Sequence, residues 1–207
     1  MLSSEIISLA LKHREKYETV LDIGSGSGVH SQIFLNAGKK VTSVDYGSSS
    51  AYRKGSQEKN KETLIGDYLK INFENQFDLI WASHVLEHQR NPGLFLEKIN
   101  KDLKEGGFLC ITVPPLKHQI VGGHVTLWNP LLLVYNLVLA GFDCSAASIK
   151  QYGYNVSVFL KKREIKKLPE ISFDKHDFEK LRDFLPSIVH QGCNGNILEF
   201  NWGKNVK

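Results

Sequence analysis

The sequence predicts a doubly wound α/β fold with a mainly parallel sheet, on three observations. Short β-branched runs alternate with stretches of helical periodicity, the pattern that places crossover helices on both faces of a parallel sheet. A glycine-rich turn follows the first of those runs directly, where such sheets build ligand sites. Near residue 153 two extended runs are joined by a connection too short for a crossover, which calls for an antiparallel hairpin.

The elements follow in order. Residues 1–19 read as an N-terminal helix, 20–23 as the first strand, 40–44 as the second, 63–65 as a weaker third, 78–81 as the fourth and 108–113 as the fifth. The clearest helix starts at Asn91-Pro92, a cap residue followed by proline at the first helical position. It carries Leu94, Phe95, Ile99 and Leu103 at helical spacing and is expected to stop at Gly106-Gly107. A second begins in the same way at Asn129-Pro130 and ends near Gly141. Its apolar residues run nearly all the way round, which predicts burial between sheet and C-terminal segment rather than a dimer face, although a homodimer stays open. Residues 144–151 and 154–161 form the hairpin around Tyr152-Gly153. The stretch 47–62, with SSS and KGSQEKNKE, is expected to be a solvated connection. Residues 162–207 open with a basic run, continue through Phe178, Leu181, Phe184 and Leu185 and end in ILEFNW. They read as an appendage on the core 20–161, so that 1–207 is expected to be one domain.

Composition bounds the function. With 207 residues, 42% of them hydrophobic, the chain can bury a full core. A net charge of +4 is too mild for a dedicated nucleic-acid binder, though it suits an anionic substrate. Cys110, Cys144 and Cys193 are odd in number and lack a CxxC pair, which argues against a disulfide framework or a zinc site and for reduced thiols in the cytoplasm. The first residues lack the uninterrupted apolar region of a secretory signal. The longest apolar run, 131–142, is far short of the roughly 20 residues that span a bilayer, so no membrane span is expected.

The turn itself reads LDIGSGSGVH over 21–30. A dinucleotide fingerprint requires G-x-G-x-x-G, its third glycine letting the helix pack closely. From Gly24 and Gly26 that place is Val29, and from Gly26 and Gly28 it is Ser31, so the match is broken in both frames. What stands is D-x-G-x-G-x-G, with Asp22 ahead of Gly24, Gly26 and Gly28. A carboxylate there repels a pyrophosphate and attracts an ammonium group.

At these residues the sequence resembles class I S-adenosylmethionine-dependent methyltransferases. VLDIGSGSG is similar to their first motif, VDYG ends the second strand, GDY follows the third, FDLIWASHVLEH carries the fourth into the rim of the site, and LKEGGFLCITVPP resembles their helix, turn and fifth strand. The resemblance covers about 20–160. It implies a Rossmann-like three-layer sandwich of seven strands in the order 3-2-1-4-5-7-6, closed by an antiparallel hairpin. It also implies S-adenosyl-L-methionine as cofactor, with S-adenosyl-L-homocysteine as product, at Asp22, Gly24, Ser25, Gly26 and Gly28. Asp45, beside Tyr46, falls where the family takes both ribose hydroxyls. Asp67, beside Tyr68, falls where it contacts adenine, and Ser83 lies on the rim. An aspartate after a strand is also a common helix cap, the alternative for Asp67.

Methyl transfer from a sulfonium is an in-line displacement, so alignment supplies most of the acceleration and no protein nucleophile is required. A hydroxyl acceptor does need a base. The loop VGGHVTLWNP sets two glycines, a histidine and a tryptophan after the fifth strand, making His124 the first choice for proton acceptor or substrate contact and His84 the second. His88 and His118 are expected to hydrogen-bond loop backbone, and Trp128 to anchor packing. Where the metal-dependent catechol type would show Asp-Asn after the fifth strand, this chain has Pro114-Pro115, so no metal is expected. A small-molecule acceptor is the default. SHVLEH together with GGHVTLWNPLLLVYNLVLAGFDC is similar to methyltransferases of bacterial surface-polysaccharide biosynthesis, which implies a sugar, a sugar nucleotide or a phosphorylated amino alcohol of a capsule or lipopolysaccharide pathway. Two other classes stay open: a non-catalytic cofactor-binding scaffold subunit, and a nucleotide-dependent oxidoreductase or epimerase. An RNA methyltransferase rests only on the basic run 161–167, a pattern more often a solvated surface.

Overall fold

A computed structural model describes residues 2–54, 63–163 and 165–204. Eight strands form one sheet in the order β3-β2-β1-β4-β5-β7-β6-β8. The parallel part comprises β1 (Thr19–Ile23), β2 (Lys40–Asp45), β3 (Thr63–Ile65), β4 (Phe77–Ser83) and β5 (Leu103–Val113). β6 (Ser148–Tyr152) and β7 (Asn155–Lys161) form the hairpin, with β7 antiparallel to β5. The helices are α1 (Ser4–Lys12), α2 (Val29–Asn36), α3 (Ser50–Lys54), α4 (Pro92–Asp102), α5 (Pro130–Leu139) and the short α6 (Asp177–Lys180).

Strand side chains alternate between two cores. Leu21, Ile80, Leu109 and Val158 face α4 and α5, where Phe95, Ile99, Leu133 and Leu137 cover them. Their neighbours Val20, Leu79, Phe108 and Phe159 face the opposite way, under Ile6, Ile7 and Ala10 of α1 and Phe34 of α2. Period-two alternation in strands apolar on both faces produces the three layers. α5 enters as expected: Asn129 accepts from the Leu132 N–H at 2.8 Å and Pro130 occupies its first turn. Asn91 sits at the corresponding place of α4 but makes no side-chain cap bond.

The structure departs from the sequence expectations in several places, the first being the N-terminal helix, which ends at Lys12 rather than near 19, with Thr19 already in β1. The sheet has eight strands rather than seven, because Glu199–Phe200 pairs antiparallel with β6 as β8. Two residues are too few to show a strand period. The helix expected to reach Gly106 ends at Asp102, and Leu103 already pairs with Phe77. The ladder then shifts register, pairing Leu79 with Phe108, so Lys104 to Gly107 lie in an irregular strand entry. Gly107 is required there: a Cβ would fall 2.8 Å from the Asp78 carbonyl oxygen. The hairpin turns at Gly153-Tyr154, one residue later than expected, since Tyr152 and Asn155 form its last pair and Gly153 takes the positive φ. Of the stretch 47–62, residues 50–54 are α3 and residues 55–62 lie outside the described residues.

The C-terminal segment closes one core. Leu181, Leu185, Val189 and Ile197 are buried with α5, and the Cys144 N–H donates to the Phe184 carbonyl at 2.9 Å. Among the described residues no helix is long and apolar enough to cross a membrane. Leu181 is fully buried, so Leu181→Ala should cost about 2–4 kcal/mol through lost contacts and the cavity left behind. The check is a lower urea midpoint at unchanged slope; an unchanged midpoint would mean that this segment does not close the core.

Candidate functional site

The carboxyl ends of β1, β2 and β4 open onto a cavity of about 430 Å³, within the range of small-molecule sites. One wall is the glycine turn. Gly24 (φ +71°) and Gly26 (φ +53°) hold left-handed conformations that side chains disfavour. A Cβ on Gly24 would stand 2.3 Å from Val85 Cγ2, so the bare backbone is what lets the β4 rim close against the β1 turn. Gly28 has a different role. It caps the start of α2 with open space around it and does not line the cavity.

Asp45 ties two loops together. One carboxylate oxygen accepts the Gly26 N–H at 2.8 Å and the other the Gly47 N–H at 2.8 Å. Although 7% exposed, it lines the cavity, and each oxygen keeps a further acceptor site. Asp22 lies below the floor. It is buried, accepts from Ser31 Oγ at 2.5 Å, and does not line the cavity. Burial pushes its carboxyl up to about 7, against the Ser31 hydrogen bond.

Of the residues expected from sequence, Gly24, Ser25, Gly26, Asp45, Tyr46, Tyr68, Ser83 and His84 come together around the cavity. Asp67 does not. It accepts from the Leu69 N–H at 3.1 Å and from the Tyr46 hydroxyl at 3.0 Å, which is the capping alternative. The Tyr68 ring reaches the wall while its hydroxyl donates to Asp102 at 2.7 Å. Leu2 and His30 also line the cavity, and sequence reasoning passed over both. The His30 ring packs on Trp81 and its Nε2 lies 3.3 Å from the Leu2 carbonyl. Only the docking of α1 across the sheet brings Leu2 there, and no local pattern signals it.

The other wall is rich in histidine. His84 holds φ +56°, a strained value for a residue with a side chain. Its Nε2 lies 3.0 Å from Asn155 Oδ1 and its Nδ1 lies 3.4 Å from Glu87 Oε1. Burial opposes its positive charge, and the Glu87 carboxylate and Asn155 outweigh that, holding the imidazole above its ordinary value. His88 also reaches the cavity, and its Nδ1 meets the Gly123 carbonyl at 2.7 Å, the loop-backbone bond expected of it. His124 stands one step back. Its ring meets that of His88 edge-on at 5.0 Å, and it lines a smaller neighbouring cavity of about 10 Å³ under residues 114–128. His118 is exposed. Trp128 is buried, with its Nε1 donating to Thr126 at 2.9 Å, as a packing anchor would be.

The fit to an adenosyl donor follows from these residues. Apolar Ile23, Val85 and Phe95 supply walls for a flat base and a thioether-like arm, and Asp45 can accept from vicinal hydroxyls. Val29, which lines the cavity, occupies the place of the third glycine of a dinucleotide fingerprint, the one that lets the helix pack closely.

Residues 21–111 match the family described as "Methyltransferase domain". The chain is 33% identical over 113 residues to the cypemycin N-terminal methyltransferase of Streptomyces sp, covering 51% of this chain and 46% of that protein. It is 26% identical over 156 residues to the ubiquinone biosynthesis O-methyltransferase of Glaesserella parasuis serovar 5, covering 70% of this chain and 60% of that one. It thus spans about half to three fifths of these relatives. Among solved structures, the Burkholderia thailandensis 1,6-didemethyltoxoflavin-N1-methyltransferase, which has its namesake compound and S-adenosylhomocysteine bound, matches with a TM-score of 0.61 at 18% identity, over 78% of each chain. A SAM-dependent methyltransferase of Aquifex aeolicus matches with a TM-score of 0.58 at 21% identity, over 76% of this chain and 89% of that one. The architecture is therefore the Rossmann-like methyltransferase fold.

Asp22 gives a pH test. Its folded-state carboxyl titrates near 7, above its ordinary value of 3.8, so the folded protein holds the extra proton between those values. Stability from this group is complete below about pH 4 and is lost as pH rises through 7. Asp22→Asn keeps an acceptor for Ser31 without the charge. It should gain stability over the parent as pH rises from 4 to 7, by up to a few kcal/mol. Urea midpoints of both proteins across that range check this; parallel curves would put Asp22 in contact with water.

Proposed function

We propose that this chain, whose residues 21–111 match a methyltransferase domain, moves a methyl group from S-adenosylmethionine to an oxygen or nitrogen of a small molecule. The observation that carries the reading is a single cavity bounded by the Gly24 to Gly26 turn, the Asp45 carboxylate and the His84 rim. The donor supplies an electrophilic methyl on a sulfonium, and the chain supplies position. In this reading the backbone of Gly24, Ser25 and Gly26 takes the aminocarboxypropyl arm and Asp45 the ribose. Gly66 and Tyr68 flank the base, while Ser83 and His84 face the acceptor side. The buried Asp45 is fixed by two backbone N–H groups, so its remaining acceptor sites are oriented before any ligand arrives.

The acceptor enters beneath residues 114–128. We include sugars, sugar nucleotides and phosphorylated amino alcohols of surface-polysaccharide pathways among its classes, from the sequence resemblance. The loop also exposes Leu116, Ile120, Val121, Val125 and Leu127, which favours an acceptor with an apolar portion. Within this reading His124, then His84, are the candidates for proton acceptor or substrate contact.

Calorimetric titration tests the donor site. S-adenosylmethionine and S-adenosylhomocysteine should bind and NAD should not; NAD binding alone would overturn the reading. Asp45→Ala should weaken S-adenosylhomocysteine at least about tenfold, since hydrogen bonds to a charged group are worth roughly 1.5–3 kcal/mol each. Unchanged affinity would remove Asp45 from the site. His124→Ala should leave that affinity intact and lower turnover.

A further inference from the structure

We propose that Glu87, His88 and His124 bind a divalent transition-metal ion such as zinc, and that the ion seats the acceptor's oxygen at the edge of the donor cavity. The second half rests on the donor reading above; the first half does not.

Each of the three residues offers one ligand atom, and those atoms all lie within 4.8 Å of one another. Ligands on one zinc stand about 3.4 Å apart for bonds near 2.1 Å, so small side-chain movements complete the set. His124 follows Gly122 and Gly123, which leaves its backbone free to make that adjustment.

Glu87 is the observation that asks for a cation. Its side chain is 1% exposed, and among the described residues neither carboxylate oxygen has a partner in good hydrogen-bond geometry, the nearest polar atom being His84 Nδ1 at 3.4 Å. A buried carboxylate left in that state is costly, and a bound metal ion is one of the two ways proteins satisfy it. Among the described residues no lysine or arginine is paired with it; the ionisable groups within 4 Å are the imidazoles of His84 at 3.4 Å and His88 at 3.8 Å.

The histidines are oriented as ligands. A carbonyl oxygen only accepts, so the 2.7 Å contact to Gly123 puts the proton of His88 on Nδ1 and leaves the Nε2 lone pair toward Glu87. This pairing of one ring nitrogen with backbone is the usual support of a metal-bound histidine. His84 repeats the arrangement. Asn155 Oδ1 accepts from the Ser3 N–H at 3.1 Å and from His84 Nε2 at 3.0 Å, which fixes that ring with Nδ1 turned toward Glu87 beside the three-residue cluster. Backbone holds the two halves together, with Val125 and Thr126 donating to the Glu87 carbonyl at 2.8 and 3.2 Å.

Two imidazoles and one carboxylate suit zinc and its first-row neighbours and leave coordination positions open. His88 borders the larger cavity and His124 the small one beneath residues 114–128, so the cluster stands where these two spaces meet. An acceptor hydroxyl held there is acidified. Its oxygen forms the new bond to the methyl carbon as the sulfur–carbon bond breaks with its electron pair returning to sulfur, and the hydroxyl proton leaves to solvent. Pro114-Pro115 excludes ligands only at the end of β5, and this cluster is assembled from the β4 rim and the 121–128 loop.

The test uses the full chain stripped with a chelator and titrated with zinc and with cobalt(II). One equivalent of zinc should bind, and the cobalt form should show visible absorption that zinc abolishes. His88→Ala and His124→Ala should each weaken zinc at least about tenfold, whereas His118→Ala, an exposed histidine on the same loop, should not change it. Absence of stoichiometric binding in the parent, or binding that survives both variants, would overturn the site and leave Glu87 paired with imidazolium. S-adenosylhomocysteine affinity measured on the same samples separates the two readings. Zinc bound without S-adenosylhomocysteine keeps the metal site and removes the donor site, and the reverse result does the opposite.

Discussion

The Asp45 carboxylate accepts one backbone N–H from the glycine turn after β1 and one from the loop after β2. Two loops that parallel pairing of β1 with β2 brings side by side are thereby fixed to each other by a single charge. Charge-assisted bonds to backbone are the strong members of their class, and here they act in a partly desolvated place. Together with the Gly24 and Ser25 N–H groups donating to the Val44 carbonyl at 2.7 and 3.2 Å, this tie keeps the turn folded back with Gly24 against Val85, where a side chain would clash. The same carboxylate then has acceptor capacity left over for a ligand.

The histidine wall depends on different forces. Asn155, at the start of β7, holds both the N-terminal segment through Ser3 and the rim of β4 through His84. His84 is thereby kept in a left-handed conformation, at a cost of order 1–3 kcal/mol that the surrounding packing offsets. Tyr154 stacks on its ring at 6.0 Å, and the Lys117 ammonium lies over the other aromatic at 4.5 Å. Glu87 sits beneath this wall with its side chain buried. Its backbone carbonyl anchors the 121–128 loop while its side chain faces three imidazoles. One residue therefore links the rim of the cavity to the 121–128 loop.

Stability and function are divided between the two faces of the sheet. α1 and α2 cover one face, and α1 also delivers Leu2 to the cavity. α4, α5 and the C-terminal segment cover the other, where Leu181 and Ile197 complete a core that β5 and β7 alone would leave open. The small β8 pairs the otherwise free edge of β6, which blunts an edge that could template association.

By itself the sequence determined the alternation of strands and helices, the hairpin, the turn at Gly24 and Gly26 and the place of Asp45, because each rests on a local pattern: apolar period, a cap followed by proline, glycine spacing, a charge at a strand end. It also singled out His84 and His124, of which the structure brings His84 onto the cavity. Local signals could not say which residues meet. Tertiary structure alone put Asp22 below the floor and Asp67 on a cap, since side-chain direction decides whether a carboxylate near a cavity faces it. It alone added β8, too short to carry a period, and moved the start of β5 to Leu103, where a register shift overrides helical spacing. The meeting of Glu87 and His88 with His124, 36 positions further along, likewise had no sequence period to announce it, because the loop that joins them is held by backbone hydrogen bonds to Glu87 rather than by any repeat in the chain.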